Sequence, residues 1–186
     1  MTPRQQQILQ RTVEWIADEG YAALTMRSVA KVSGMTLGAL QYHFPHRRSL
    51  LEALTAYIAQ QYREEFAARM ATAETGIAQL HACLDGFPIL PADDRVQGDR
   101  LFPQLWAMAK IEPLMTQLID DIYDEYLALI EECLREQGVS SPRPDALALM
   151  SMLEGTTLFI GEGCRWQSDG PATIQAIRDM IDSRYG

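Results

Sequence analysis

Residues 24–51 read LTMRSVAKVSGMTLGALQYHFPHRRSLL, and this stretch decides the fold. Thr25 stands ready to cap a first turn, and Met26, Arg27, Val29 and Ala30 follow it, so a short helix is predicted to about Val32. Ser33 and Gly34 end it, because Gly34 can take the left-handed conformation that closes a helix tightly. Thr36 then caps a second helix from about Leu37 to His43, and Phe44-Pro45 stops it. The product is a helix, a tight turn and a helix.

In the second helix Leu37, Leu40 and Phe44 are spaced three and four apart and share an inward face. Thr36, Gly38, Ala39, Gln41, Tyr42 and His43 take the rest of the surface, which is small at its start and polar or aromatic further on. Small residues let a helix backbone sit close to base edges in a major groove. Hydroxyl, amide and imidazole groups supply hydrogen bonds to bases and phosphates. Double-stranded DNA is the predicted partner.

Charge agrees once it is divided along the chain. The net charge of -9 over 186 residues looks wrong for a DNA binder, but residues 1–50 carry six basic and three acidic side chains. The remaining residues carry ten basic and twenty-two acidic ones. No carboxylate lies between Glu19 and Glu52, so nothing local in sequence repels phosphate from the reading segment.

These residues resemble the TetR-type family of transcriptional regulators. The likeness covers about the first quarter of the chain without a gap: a leading helix, Gly20-Tyr21, Leu24-Thr25, Arg27, Val29-Ala30, Gly34, Tyr42-His43-Phe44-Pro45, and a basic residue at Arg47 before Leu50-Leu51. It departs at Gln41, where many members carry tyrosine, and at Arg47, where lysine is usual. Both substitutes still hydrogen-bond to DNA, so the departures bear on operator identity. The resemblance implies a two-fold dimer joined through its last two helices, with a ligand cavity in the middle of the second domain.

The predicted fold is all-α, with a three-helix DNA-binding domain at 1–48 and a larger helical ligand-binding and dimerisation domain at 49–186. A connecting helix over about 47–72 joins them. Pro3 to Glu19 forms the leading helix, with Leu9, Val13 and Ile16 as its buried stripe, and Arg4 and Arg11 either reach phosphates or lie on a solvated face. His46 either assists at an anion site or is an ordinary exposed residue. Arg47 opens the connecting helix where backbone amides already favour an anion, so a DNA phosphate suits it.

Further on, Ile77 to Leu84 reads as helix and Phe87 to Gly98 as loop. An apolar segment from about Asp99 to Ile111 follows, with Pro103 placed in its N-terminal turn. Pro113 opens a long amphipathic helix that Gly138 closes, its carboxylate pairs forming a wet face. Asp145 to Trp166 is apolar almost all round and must be covered on most sides, and Gly155, Gly161 and Gly163 would admit another backbone closely. With the Ile174, Ile177, Met180 and Ile181 face it forms either an intramolecular core or a four-helix interface between two copies.

No run of about 18 uncharged apolar residues is present to span a bilayer, and MTPRQQQILQ lacks a signal-peptide core, so a cytoplasmic protein without membrane contact is predicted. Cys83, Cys133 and Cys164 read as reduced core thiols. No phosphate loop, nucleophile-base pair or metal-ligand spacing is apparent in the last hundred residues, and His43 with His46 lacks further ligands, so no catalytic residue, metal or cofactor is predicted.

The expected function is a ligand-responsive repressor. Thr25, Arg27, Tyr42 and Arg47 would hold phosphates, while Thr36, Gly38, Gln41 and His43 would meet base edges. Leu37 is either a base contact or core, and its spacing favours core. Candidates to line a cavity for a small-molecule effector are Trp106, Met108, Tyr123, Tyr126, Met152, Glu154 and Phe159. Glu154 faces a polar ligand, an arginine across the dimer, or solvent; in the first case the ligand carries a cation or a hydroxyl. The alternatives are a regulator of this fold without small-molecule control, an activator, and, from another class, an enzyme or carrier using an apolar cavity.

Overall fold

The computed structural model describes residues 1–71, 73, 76–86 and 98–186. Of the loop predicted over Phe87 to Gly98, residues 87–97 fall outside the described residues, while Gly98 opens the next helix; Thr72, at the expected end of the connecting helix, and the side chain of Cys83 also fall outside them.

Helices fill the described chain: α1 Pro3–Glu19, α2 Met26–Val32, α3 Leu37–His43, α4 Arg47–Met70, α5 Ile77–Gly86, α6 Gly98–Ala109, α7 Pro113–Glu136, α8 Pro142–Ile160 and α9 Gly170–Tyr185. No described helix is long and apolar enough to cross a membrane. The helices fall into two compact units. One holds the described residues of Met1–Arg63 and Asp94–Asp121, the other those of Glu64–Asp93 and Ile122–Gly186. The contacts thus draw α6 and the start of α7 into the unit that contains the helix-turn-helix, a grouping that sequence order does not reveal.

In the first unit, α1 packs on α2 and α6, and α2 packs on α3. Ile8, Leu9 and Ile16 of α1, Leu40 of α3, Leu50, Leu54 and Ile58 of α4, and Leu101, Leu105 and Met108 of α6 are all essentially out of solvent. Val13, predicted in the buried stripe of α1, is only half-buried, and Thr12 takes an inward place by donating its hydroxyl to the Ile8 carbonyl at 2.7 Å. Pro103 lies well inside α6 rather than in its first turn, because the helix begins earlier, at Gly98.

In the second unit, Leu80, Leu127, Ile130, Cys133, Leu149, Leu153 and Ile181 form the core, drawn from α5, α7, α8 and α9. Ion pairs tie its surface: Arg143 to Glu131 and Arg184 to Asp145, each at 2.8 Å. The helix predicted to run to Trp166 ends at Ile160. A side chain at Gly161 would bring its Cβ within 2.6 Å of the Thr157 carbonyl oxygen, and Gly163 turns the chain at φ 76°. Gly155 and Gly163, predicted to admit another backbone, face open space within this chain. Leu147, Leu158 and Phe159 of α8 are exposed, so the all-round apolar pattern is not consumed by the intramolecular core.

Candidate functional site

The reading head is built from local signals that the backbone obeys. Thr25 accepts the Ser28 amide at 3.1 Å, while Ser28 Oγ accepts the Thr25 amide at 2.8 Å, a reciprocal cap that starts α2. At its end the Gly34 amide donates to the Lys31 carbonyl and the Met35 amide to the Ala30 carbonyl, with Gly34 at φ 65°. This paired closure needs a left-handed residue, which is why glycine stands there. Thr36 then caps α3 by accepting the Ala39 amide at 3.2 Å. The leading helix braces both: Arg11 donates to the Val32 carbonyl at 3.5 Å and Gln5 to the His43 carbonyl at 3.4 Å.

The packing leaves the predicted contact residues outside. Thr25, Arg27, Thr36, Gly38 and Gln41 are exposed, and Leu37 and His43 are half-buried, while Leu40 and Phe44 fill the inner side. Leu37 thus sits between its two readings, part in the packing and part at the surface. Tyr42 is 86% exposed, its ring edge-on to His43 with centroids 5.4 Å apart. An aromatic ring so exposed contributes little to the monomer's core and presents both a flat face and a hydroxyl to a partner. His46, which sequence left with two readings, caps α4: its Nδ1 accepts the Ser49 amide at 3.1 Å.

Arg47 is differently placed. Its Nη2 lies 2.6 Å from Glu112 Oε1 and donates to the Tyr21 hydroxyl at 2.6 Å, and that hydroxyl donates in turn to the Glu112 carboxylate. The hydrogen bond from Arg47 is the chief force holding the Glu112 carboxyl below its ordinary range. Burial first, and then the neighbouring carboxylate, push the Tyr21 phenol up. Tyr21 is fixed at its other end, where its amide donates to Gln104 Oε1 of α6 at 3.3 Å. Gln104 and Glu112 were missed in the sequence, and Tyr21 entered there only through the resemblance, with no role assigned. Glu112 precedes the proline that opens α7, and nothing in its local pattern links it to Arg47.

The seven candidate ligand residues do not form one group. Trp106 and Met108 belong to the first unit, where Met108 is fully enclosed as core and Trp106 packs edge-on against Phe102 at 6.0 Å. Tyr123, Tyr126 and Met152 are half-buried beside the second unit's core. Phe159, predicted to line a cavity, instead lies 57% exposed with its ring 6.2 Å from Trp166, because α8 turns that side away from the second unit's interior. Glu154 is largely enclosed. Burial raises its carboxyl from 4.5 to about 7, opposed by a hydrogen bond from Tyr123, and among the described residues no cation is paired with it. An open groove of about 310 Å³ beside the α6–α7 turn, bordered by Lys110, Ile111, Thr116 and Asp120, includes none of the seven.

Known proteins match along the whole chain. A model of the family described as bacterial regulatory proteins, tetR family, matches residues 8–54. The chain is 33% identical over 189 residues to the HTH-type transcriptional regulator BetI of Cronobacter sakazakii, covering 96% of this chain and 91% of that one. It is 26% identical over 168 residues to BetI 1 of Chromohalobacter salexigens, covering 83% and 77%. Among solved structures, a TetR-family regulator from Rhodococcus sp. superposes with a TM-score of 0.80 at 22% identity, covering both chains fully. A transcriptional regulator from Saccharomonospora viridis in complex with choline superposes at 0.79, also at 22% identity, covering 97% and 96%. With its helix-turn-helix, exposed recognition helix and all-helical remainder, the chain belongs to the TetR family of transcriptional regulators.

Proposed function

We infer that this regulator is a ligand-responsive repressor that binds a two-fold symmetric operator as a homodimer and leaves it when a small molecule binds. The observation that carries the DNA half is the recognition helix α3, whose outer face of Thr36, Gly38, Gln41 and Tyr42 is uncovered although its inner face is fully packed. Thr25, Arg27, Tyr42 and Arg47 hold phosphates and set the register. Thr36, Gly38, Gln41 and His43, with the exposed part of Leu37, meet base edges. One seven-residue helix spans too few bases for useful specificity, and a dimer reads two half-sites on one DNA face.

The dimer forms through α8 and α9. Leu158 is 61% exposed, Leu147 47% and Phe159 57%, and they share one side of α8 with Ser151 and the open Gly155. On α9 the small residues Ala172, Ala176 and Ser183 are exposed at helical spacing, which lets a second helix approach. A contiguous apolar surface of this kind on a water-soluble chain belongs against a partner.

The effector is a small organic cation. An enclosed carboxylate without a cationic partner among the described residues, hydrogen-bonded to one tyrosine, supplies the charge and an aromatic hydroxyl that such a ligand needs. The related regulator solved with choline supports the same chemical class. Selection of bound duplexes from a random pool, followed by salt titration, tests the regulator. A two-fold symmetric site with steep salt dependence is expected, released by choline or a similar quaternary ammonium compound. Failure of the folded protein to enrich any sequence at low salt would overturn the reading.

A further inference from the structure

The reading head has no carboxylate of its own between Glu19 and Glu52, yet one is packed into it from far along the chain. Glu112 sits in the turn between α6 and α7, and that turn is firmly made. The Glu112 amide donates to the Met108 carbonyl at 2.8 Å, its own carbonyl accepts the Met115 amide at 2.9 Å, and the Thr116 hydroxyl donates to the Ala109 carbonyl at 2.6 Å. The Glu112 side chain is 17% exposed and is held by the Tyr21 hydroxyl, while the Arg47 side chain is 43% exposed. Of the two charges, the carboxylate is fixed and the guanidinium is the one free to leave.

We propose that Glu112 acts as an internal anion that competes with a DNA phosphate for Arg47, so that the α6–α7 turn sets the affinity of the reading head. The geometry supplies both halves of a competition. Arg47 opens α4 beside the recognition helix, where a cation serves a phosphate, and its Nη2 is occupied by a carboxylate and a phenol that offer the same kind of oxygen. A half-exposed ion pair is weak enough to exchange: such pairs are worth up to about 1 kcal/mol, a factor of about five. Glu112 is therefore a positioning residue. It touches no nucleic acid and acts only through the place where it holds Arg47.

This inference rests on the DNA-binding reading above, and the test separates the two. Binding of the full-length dimer to a duplex of random sequence and to a selected operator is measured against salt for the wild type, Glu112→Gln, Arg47→Ala and the double variant. Glutamine keeps the shape and an acceptor for Tyr21 but removes the charge. It is expected to tighten binding about fivefold per head, most at low salt, where the Arg47–Glu112 pair is least screened. Because phosphate contacts carry no sequence information, the gain appears on both duplexes. In the Arg47→Ala background the same change does nothing, which a merely structural role for Glu112 would not produce. Glu112→Asp, which draws the charge back by one methylene, gains less but in the same direction, and carries the test alone if the glutamine variant does not fold. Unchanged or weaker binding with either variant, or an equal gain without Arg47, overturns the inference. A wild type that binds no duplex overturns the regulator reading with it.

Discussion

Glu154→Gln is expected to stabilise this protein, and only in one range of pH. Burial raises the Glu154 carboxyl from 4.5 to about 7, so its folded-state value lies above the unfolded one. Below about pH 4.5 both states hold the proton and nothing is lost. As pH rises from there to 7 the unfolded chain gives up the proton while the folded chain keeps it, so stability falls. Above 7 both are ionised and the full cost is present. At 1.36 kcal/mol for each unit between the two values, that cost is about 3 kcal/mol. Glutamine has the same shape, keeps an oxygen for Tyr123, and carries no such cost. The assay is the thermal midpoint of both proteins from pH 5 to 8.5 without ligand, since the difference cancels every other titrating group. The two should melt nearly together at pH 5, with the variant higher by about 6–12 °C at pH 8. A difference that does not change with pH, or a variant less stable at pH 8, would refute the burial argument.

On the proposed reading of Glu154 as the site of a cationic effector, the cation favours the ionised carboxyl, so affinity for choline, as the probe, should fall about tenfold for each pH unit below 7. Calorimetry in buffers of different ionisation heat should also show proton release on binding there. Phe159→Glu places a charge on the exposed α8 face of both copies and should cost about 4 kcal/mol of association, turning a dimer into a monomer at micromolar concentration in analytical ultracentrifugation. Gly34→Ala should cost about 1–2 kcal/mol in chemical denaturation, all of it backbone. The added Cβ would lie 3.8 Å from Arg11, an ordinary contact, but φ 65° disfavours any L side chain. Thr36→Ala removes the cap of α3 and should cost about 1 kcal/mol, with weaker operator binding because the recognition helix frays at the end that enters the groove.

The helix-turn-helix was legible because its signals are local. Thr25, Gly34, Thr36 and Pro45 act within three or four residues of themselves and set the bounds of α2 and α3, as Pro3 and Gly20 do for α1. Where helices stop for reasons outside the pattern, periodicity misled. The helix predicted to reach Trp166 stops at Ile160, where the backbone of Gly161 turns extended at ψ 175°. Phe159 carries the same apolar signal as its buried neighbours, and one chain's sequence does not distinguish a residue facing its own core from one facing outward. A lone carboxylate among apolar residues, such as Glu154, is conspicuous in a sequence, whereas Glu112 is not, because its partner is distant along the chain.

The Arg47–Glu112 pair bears on how a chain of net charge -9 meets DNA. At physiological salt, charges act over about 8 Å, so phosphate binding is decided by the balance of the reading head and not by the total. The first fifty residues hold an excess of three positive charges, and Glu112 is the one carboxylate the described ion pairs bring to Arg47 from outside them. With Glu112 counted the local excess is two, so removing that carboxylate raises it to three, by half, whereas removing one from the acidic faces of α7 leaves it untouched. Under the proposed competition for Arg47, Glu112→Gln therefore tightens the head from outside the helix-turn-helix, and Asp124→Asn on the exposed side of α7 is the control that should leave the affinity unchanged.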